Sequence, residues 1–220
     1  MTRVRGEPDR VLPGDPVLRF QSLPSLVELA GRAISDHLAR QRESRPASAP
    51  LRALDGTAGQ GFDTLRLARD VGRGGRVEAF DVQPEALAIV ADKLSAAGLR
   101  ERVTLHACGH ERLAELELGP FDAAMFNFGW LPGFDHAVRT RAATSRAALE
   151  ATLERLRPGA LLSIVAYPAH EGGDEELAVI EELVAGLSKR RWLVHVTRVV
   201  NRRGAPVLVL VERAGEDGEA

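Results

Sequence analysis

A polar and aromatic stretch, "MFNFGWLPG" at residues 125–133, ends an apolar run that predicts a β-strand. Asn127 and Trp130 stand close together there, with Gly129 between them. An amide accepts and donates hydrogen bonds, and an indole ring stacks on flat groups or lies over cations. A turn that only closed a strand would need Asp, Ser or Gly and no tryptophan. The stretch therefore predicts a binding or catalytic site, with a buried Trp130 and a loop-bracing Asn127 as the alternative.

A glycine-rich turn, "DGTAGQGFDT" at residues 55–64, links the first predicted strand to a helix. Gly56, Gly59 and Gly61 let the backbone approach a ligand closely, and the helix N-terminus offers free N–H groups. Asp81 ends the next predicted strand, where an acidic side chain can accept both hydroxyls of a ribose. The pattern predicts a nucleoside-containing ligand. The alternative is a tight turn, with Asp81 capping the following helix.

Two nucleoside cofactors compete for this turn. Dinucleotide-binding folds use G-x-G-x-x-G, whereas the glycines of this chain read G-x-x-G-x-G after a strand that ends in Asp55. The order is wrong for NAD. An acidic residue at the end of the first strand, combined with an antiparallel final hairpin, fits S-adenosylmethionine methyltransferases, although glycine geometry alone does not decide between the two.

Strand and helix patterns alternate along the chain. "RWLVHVTRVVN" and "PVLVLVER" are joined only by "RRGA", so the last strand must run antiparallel to its neighbour. We therefore predict an α/β fold with a doubly wound, mostly parallel sheet. The other strands are predicted at "LRALD", "GRVEAFD", "RVTLHA", "FDAAMFN" and "GALLSIVAY", and the helices at "LPSLVELAGRAISDHLARQ", "FDTLRLARDV", "PEALAIVADKLSAAG", "TRAATSRAALEATLERL" and "DEELAVIEELVAGLSK".

Length and composition predict one globular domain. The chain has 220 residues, of which 45% are apolar and 27% charged. We expect a flexible N-terminal extension over residues 1–20, a single domain over 21–213 and a flexible acidic tail over 214–220. The net charge of −2 gives no global attraction to nucleic acid, so any RNA contact must come from local patches. No apolar signal-peptide core or membrane span is visible, which predicts a cytoplasmic protein with no membrane partner.

Four motifs in register resemble one family. "DGTAGQGFDTLRLA", "AFDVQPEAL", "AMFNFGWLPG" and "YPAHEGGDEE" are similar, in order and spacing, to the motifs of the YtqB/MnmM-like methyltransferases, also called the rRNA methylase family. The resemblance spans about residues 50–213. It implies a class I methyltransferase fold, S-adenosyl-L-methionine as the methyl donor, and N-methylation of the aminomethyl group of 5-aminomethyl-2-thiouridine at the tRNA wobble position. It implies no metal.

The resemblance also assigns a cofactor site. It implies that residues 59–61 and Asp63 face the methionine moiety, that Asp81 and Gln83 face the ribose and adenine, and that the segment after the third strand forms the far wall. The chain departs from the usual family residues at Gln60, Cys108, Gly109, Trp130 and Ala169. The complete predicted cofactor set is Asp55, Gly59, Gln60, Gly61, Asp63, Asp81, Gln83, Gly109 and His110.

The opening stretch then has a chemical interpretation. An amide oxygen on Asn127 can accept hydrogen bonds from an amine and so orient its lone pair toward a methyl donor. Trp130 can stack on the base that carries this amine. We predict Asn127 and Trp130 as catalytic residues, and His170 as a candidate acceptor of the released proton. The predicted substrate-binding residues are Pro132, Arg139, Arg141, Tyr167 and His170.

A metal site is disfavoured. His106, Cys108 and His110 alternate along one strand, but the sequence shows no fourth ligand for zinc.

The predicted RNA contact depends on arginines near the site. Arg139, Arg141 and Arg146 follow the polar stretch, and Arg202 and Arg203 lie in the final hairpin turn; such arginines bind phosphates or form a solvated face. The expected RNA element is the anticodon region of tRNA, gripped by the rim of this chain or of a homodimer. Three other functions remain open: a small-molecule amine methyltransferase, an NAD-dependent oxidoreductase and a noncatalytic RNA-binding module.

Overall fold

The structure is a computed structural model that describes residues 23–46, 48–131, 133 and 139–215. The first helix, α1, spans Leu26–Ser44. It begins at a capping box, in which the Ser25 hydroxyl accepts from the Glu28 N–H and the Glu28 carboxylate accepts from the Ser25 N–H. The predicted flexible extension, and the tail beyond residue 215, lie outside the described residues.

The remaining elements form one seven-stranded sheet with helices on both faces. Its spatial order is β3-β2-β1-β4-β5-β7-β6. Strands β1 to β5 are parallel neighbours, whereas β7 lies antiparallel between β5 and β6. The elements are β1 (Arg52–Asp55), α2 (Phe62–Asp70), β2 (Arg76–Asp81), α3 (Pro84–Ala96), β3 (Val103–Ala107), β4 (Phe121–Phe128), α4 (Ala142–Arg155), β5 (Leu156–Ala166), α5 (Gly173–Ala185), β6 (Trp192–Arg198) and β7 (Val207–Arg213).

Two apolar layers bury the two faces of the sheet. Helices α1, α2 and α3 cover one face through side chains such as Ile34, Leu67 and Val90. Helices α4 and α5 cover the other face through Leu149 and Ile180. Burial on both faces explains why the central strands are almost continuously apolar.

The predicted α/β fold, with its mostly parallel sheet and antiparallel last strand, is confirmed. Several boundaries differ by one to four residues; among them, β5 begins at Leu156, directly after α4, and not at Gly159 as predicted. Leu156 pairs with Phe121, and the pairing with β4 resumes at Leu161 with Ala123, so the Pro-Gly step is accommodated as an irregularity within the strand. In the part of the chain that the structure describes, none of the helices is both long and apolar enough to cross a membrane.

Candidate active site

A cavity of about 700 Å³ opens at the carboxyl ends of the parallel strands. Residues after β1, β2, β3, β4 and β5 converge there, as expected for a site at this edge of a parallel sheet. Of the predicted site residues, those that line the cavity are Gly59, Gln60, Asp63, Asp81, Gln83, Gly109, His110, Asn127, Trp130, Arg139, Arg141 and Tyr167. Pro132 lies outside the described residues.

Two glycines of the turn after β1 have left-handed backbone angles, with φ of 50° at Gly59 and 80° at Gly61. Asp81 holds this turn, because its carboxylate accepts from the Gly59 N–H at 2.8 Å and from the Gln83 N–H at 2.9 Å. Gly56 is needed for a different reason: a Cβ there would lie 1.9 Å from the ring of Phe126. The glycines thus serve internal packing as well as access to a ligand.

Asp55 is buried beneath the turn and does not line the cavity. Its carboxylate accepts from the Thr57 N–H at 3.1 Å and from the Thr64 hydroxyl at 2.6 Å. Burial raises the pKa of Asp55 to about 7, and the nearby Asp63 carboxylate adds to the increase. The position of Asp55 fits a residue that braces the cofactor turn from behind.

The far wall of the cavity is formed by Gly109 and His110 after β3. The His110 ring packs edge-on against Phe126 and Phe128. Burial lowers the pKa of His110, so its neutral form is favoured. Its Nε2 is buried and finds no hydrogen-bond partner within the described ranges.

Asn127 is held in one orientation by two contacts. Its side-chain N–H donates to Asp63 Oδ2 at 2.6 Å, and its backbone N–H donates to the Thr57 hydroxyl at 2.7 Å. The remaining polar atom, the amide oxygen Oδ1, is buried and has no hydrogen-bond partner among the residues that the structure describes. Burial raises the pKa of Asp63, while the hydrogen bond from Asn127 opposes this increase. Asn127, which the sequence predicted as catalytic and which lines the cavity, therefore carries a hydrogen-bond acceptor in a fixed orientation.

The aromatic side of the cavity is built by the loop after β4 and the loop after β5. Trp130 is 38% exposed and meets the ring of His170 edge-on at 5.5 Å between centroids. His170 itself does not line the cavity. Tyr167 lines it beside Gly129, where a Cβ would come within 3.5 Å of the tyrosine ring. Burial raises the pKa of Tyr167, so its phenol stays neutral.

Both predicted substrate-binding arginines reach the cavity. Arg139 pairs with the exposed Glu171 at 2.9 Å, and its backbone bridges to Trp130. Arg141 precedes α4 and lines the cavity beside Thr140 and Thr144.

Glu176 organises this loop, and sequence reasoning missed it. Its carboxylate is buried and accepts from the hydroxyls of Thr140 and Ser145, and it lies 3.8 Å from His170 Nε2. It thereby joins α5 to the start of α4 and to the loop that carries Arg139. The acidic stretch "GDEE" in the sequence does not distinguish Glu176 from the exposed Asp174 and Glu175.

The disfavoured zinc hypothesis gains no support. Within the described ranges, no group of three or more His, Cys, Asp or Glu side chains could hold a metal ion. His106 instead pairs with Glu78 at 2.8 Å and stacks on Phe80.

The sheet order and the cavity at the strand ends define a class I methyltransferase fold. The model of the family described as "Putative rRNA methylase" matches residues 77–212, and the chain belongs to this family. The resemblance predicted from the four motifs is therefore confirmed.

Similar proteins agree with this assignment. The chain is 36% identical over 168 residues to the tRNA (mnm(5)s(2)U34)-methyltransferase, chloroplastic, of Arabidopsis thaliana; the match covers 72% of this chain but only 61% of that protein. A "putative rRNA-methylase" from Clostridium thermocellum is 31% identical, with a TM-score of 0.78 over 88% of this chain and 100% of its own. A "putative methyltransferase" from Streptococcus mutans, solved in complex with SAH, is 30% identical, with a TM-score of 0.74 over 87% and 99%.

Proposed function

We propose that this protein is an S-adenosylmethionine-dependent methyltransferase that N-methylates the aminomethyl group of 5-aminomethyl-2-thiouridine at the tRNA wobble position. The observation that carries the proposal is Asn127, which lines the cavity and whose buried Oδ1 has no hydrogen-bond partner among the described residues. An amine N–H is the kind of donor that this oxygen lacks. The name of the Arabidopsis relative supports the particular acceptor.

The proposed chemistry needs orientation more than a strong base. When bound, S-adenosylmethionine supplies an electrophilic methyl group on a sulfonium. Asn127 Oδ1 accepts one amine N–H, which aims the nitrogen lone pair along the line of displacement. Asp63 keeps the amide from rotating, because its carboxylate accepts only from the amide N–H side. After transfer, the extra proton on nitrogen passes to solvent at the cavity mouth, or to Asp63 once the amine is positively charged.

The charges around the glycine turn favour this donor over NAD. Asp63 lies in the first turn of α2, where a dinucleotide would place its pyrophosphate, and it lines the cavity. A carboxylate there repels a diphosphate, whereas it attracts a sulfonium cation. The SAH complex of the Streptococcus mutans relative supports the same choice.

RNA, and not a free small amine, is the proposed substrate. Arg139 and Arg141 line the cavity, and the exposed Arg203 lies in the β6–β7 turn at the same edge of the sheet. That turn reaches the loop after β5, since a Cβ on Gly204 would lie 3.2 Å from Ala169 Cβ. We expect these cations to contact the phosphates of an anticodon loop. A noncatalytic RNA-binding module would not need the oriented Asn127 amide.

Three further predictions belong to this proposal. Residues 21–213 act as one methyltransferase domain, and the protein works in the cytoplasm, although the Arabidopsis relative is described as chloroplastic. The anticodon region is gripped by this chain alone or by a homodimer. Size-exclusion chromatography with light scattering, with and without tRNA, tests the last point.

Mass spectrometry of wobble nucleosides tests the function directly. tRNA that carries 5-aminomethyl-2-thiouridine is incubated with the protein and S-adenosylmethionine, then digested to nucleosides. We expect a mass gain of one methyl group on that nucleoside alone. Free 5-aminomethyl-2-thiouridine is the matched comparison: equal turnover of the free nucleoside would favour a small-molecule methyltransferase, and no methyl gain on either substrate would contradict the proposal.

A further inference from the structure

Two large aromatic side chains are exposed, and both line the cavity. Phe62, the first residue of α2, is 69% exposed, and Trp130 is 38% exposed. The other phenylalanines within the described ranges are fully buried, namely Phe80, Phe121, Phe126 and Phe128. Exposure of a phenylalanine forgoes the stabilisation that burial gives, so an exposed ring beside a cavity points to a ligand.

The Phe62 ring is held in place by a lysine. Lys93 Nζ, on α3, lies 4.1 Å from the ring centroid and donates to the backbone oxygen of Gln60 at 2.7 Å. The ammonium is thus fixed by a cation–π contact and a charge-assisted hydrogen bond. The ring is oriented, most of its surface remains open to solvent, and a positive charge stands beside it.

An aromatic ring with an adjacent cation suits one unit of a nucleic-acid strand. Unpaired bases stack on aromatic side chains regardless of their sequence, and the neighbouring phosphate contacts a cation. Trp130 and Phe62 come from different elements, the loop after β4 and the start of α2, yet they line the same cavity. A small amine with a single ring would use one of them and leave the other exposed.

We infer that Phe62, with Lys93 beside it, is a second nucleobase platform, which stacks an unpaired base adjacent to the acceptor nucleotide. The inference rests on the proposed function and narrows its substrate class: the enzyme recognises a single-stranded RNA segment with at least two unstacked bases. Phe62 directly follows Gly61 of the cofactor turn, so contact with the cofactor is the competing role that the experiment must separate.

The test compares RNA and cofactor binding in the same variants. The RNA probe is a labelled anticodon stem-loop, titrated by fluorescence anisotropy with saturating S-adenosylhomocysteine, and the cofactor is titrated separately by calorimetry. Phe62→Ala should weaken RNA binding by between about fivefold and a hundredfold. Phe62→Trp should restore it, whereas Phe62→Leu, which is apolar but has no aromatic face, should not. Binding of S-adenosylhomocysteine should change less than about twofold, and Leu193→Ala, an exposed apolar position near the start of β6 that does not line the cavity, should have no effect.

Lys93→Gln gives an independent readout. Loss of one phosphate contact should reduce the slope of log K against log salt concentration by about one. RNA binding that is unchanged in Phe62→Ala overturns the platform and leaves the proposed function intact if wild-type protein still methylates tRNA. If Phe62→Ala weakens the binding of S-adenosylhomocysteine by the same factor as the binding of RNA, the platform is also overturned, because Phe62 would then contact the cofactor. A wild-type protein that neither binds nor methylates the RNA overturns both proposals.

Discussion

At the scale of single residues, the proposed methyl transfer depends on the orientation of the Asn127 amide. Asn127→Ala removes Oδ1 and should slow methyl transfer by about a hundredfold, or about 3 kcal/mol, because the lone pair is no longer aimed. Asp63→Asn should also slow transfer, since a second amide at that position can donate to Oδ1 and occupy it. Single-turnover transfer with saturating donor measures both effects. If Asn127→Ala transferred methyl at the wild-type rate, the role of the amide would be structural and not catalytic.

A buried acid beneath the cofactor turn gives a second prediction at this scale. The pKa of Asp55 is about 7 in the folded chain, against 3.8 for a free carboxyl, so the folded state holds the proton more tightly. Its contribution to stability is complete below about pH 4 and is lost as the pH rises through about 7. Asp55→Asn cannot ionise, and it keeps an acceptor for the Thr57 N–H and gains a donor for the Thr64 hydroxyl.

The stability advantage of Asp55→Asn should therefore grow with pH. Between about pH 5 and pH 8 we expect it to increase by about 2 to 3 kcal/mol, as measured by urea unfolding at each pH. Asp174→Asn, at an exposed position, is the control. A difference between variant and wild type that stays constant with pH would show that Asp55 ionises as an ordinary carboxyl does.

At the scale of elements, Glu176 connects α5 to α4 and to the loop that carries the arginines. Glu176→Ala leaves the hydroxyls of Thr140 and Ser145 without their acceptor and should cost about 1 to 3 kcal/mol of stability. The freed loop should raise KM for tRNA while the affinity for S-adenosylhomocysteine stays the same, measured by steady-state kinetics and calorimetry. Glu175→Ala, one residue earlier and exposed, should change neither quantity. If Glu175→Ala changed stability and the KM for tRNA as much as Glu176→Ala does, the proposed role of Glu176 would be wrong.

The loop between β4 and α4 supplies the proposed phosphate contacts. Replacing Arg139 and Arg141 by Ala should weaken tRNA binding and lower its salt slope by about one for each arginine, because fewer counterions are released. Arg146→Ala is the matched control, since Arg146 lies on α4 and, unlike Arg139 and Arg141, does not line the cavity. A salt slope that is the same in the double variant and in wild type would assign these arginines to a solvated face.

At the scale of the whole molecule, cofactor binding should stabilise the fold. S-adenosylhomocysteine at 100 times its Kd contributes about 2.7 kcal/mol, which for a chain of this length raises Tm by roughly 5 to 10 °C. NAD at the same concentration should give no shift. Asp81→Ala should lose most of the shift, because it removes the predicted ribose acceptor and releases the Gly59 N–H. Differential scanning fluorimetry measures these Tm shifts. A larger shift with NAD than with S-adenosylhomocysteine would contradict the cofactor assignment.

Local sequence determined the elements and the edge of the sheet at which the site lies. The alternation of strand and helix patterns, the glycine turn and the short final link predicted the architecture, because they depend on backbone periodicity and turn geometry within a few residues. Asp81 and Asn127 could be placed together because the carboxyl ends of parallel strands meet at one edge. The family motifs then supplied the chemistry.

Only the tertiary structure decided which atoms are free to act. The hydrogen bond from Asn127 to Asp63 joins residues 64 positions apart, so no local pattern reveals that Oδ1 is the side-chain atom without a partner among the described residues. Asp55 is predicted as a cofactor ligand but lies beneath the turn, and Glu176 belongs to an acidic stretch but is buried. Phe62 begins a predicted helix, and nothing in the sequence indicates that it is exposed at the cavity. Burial and hydrogen-bond partners depend on contacts between distant segments, and these exist only once the sheet has assembled.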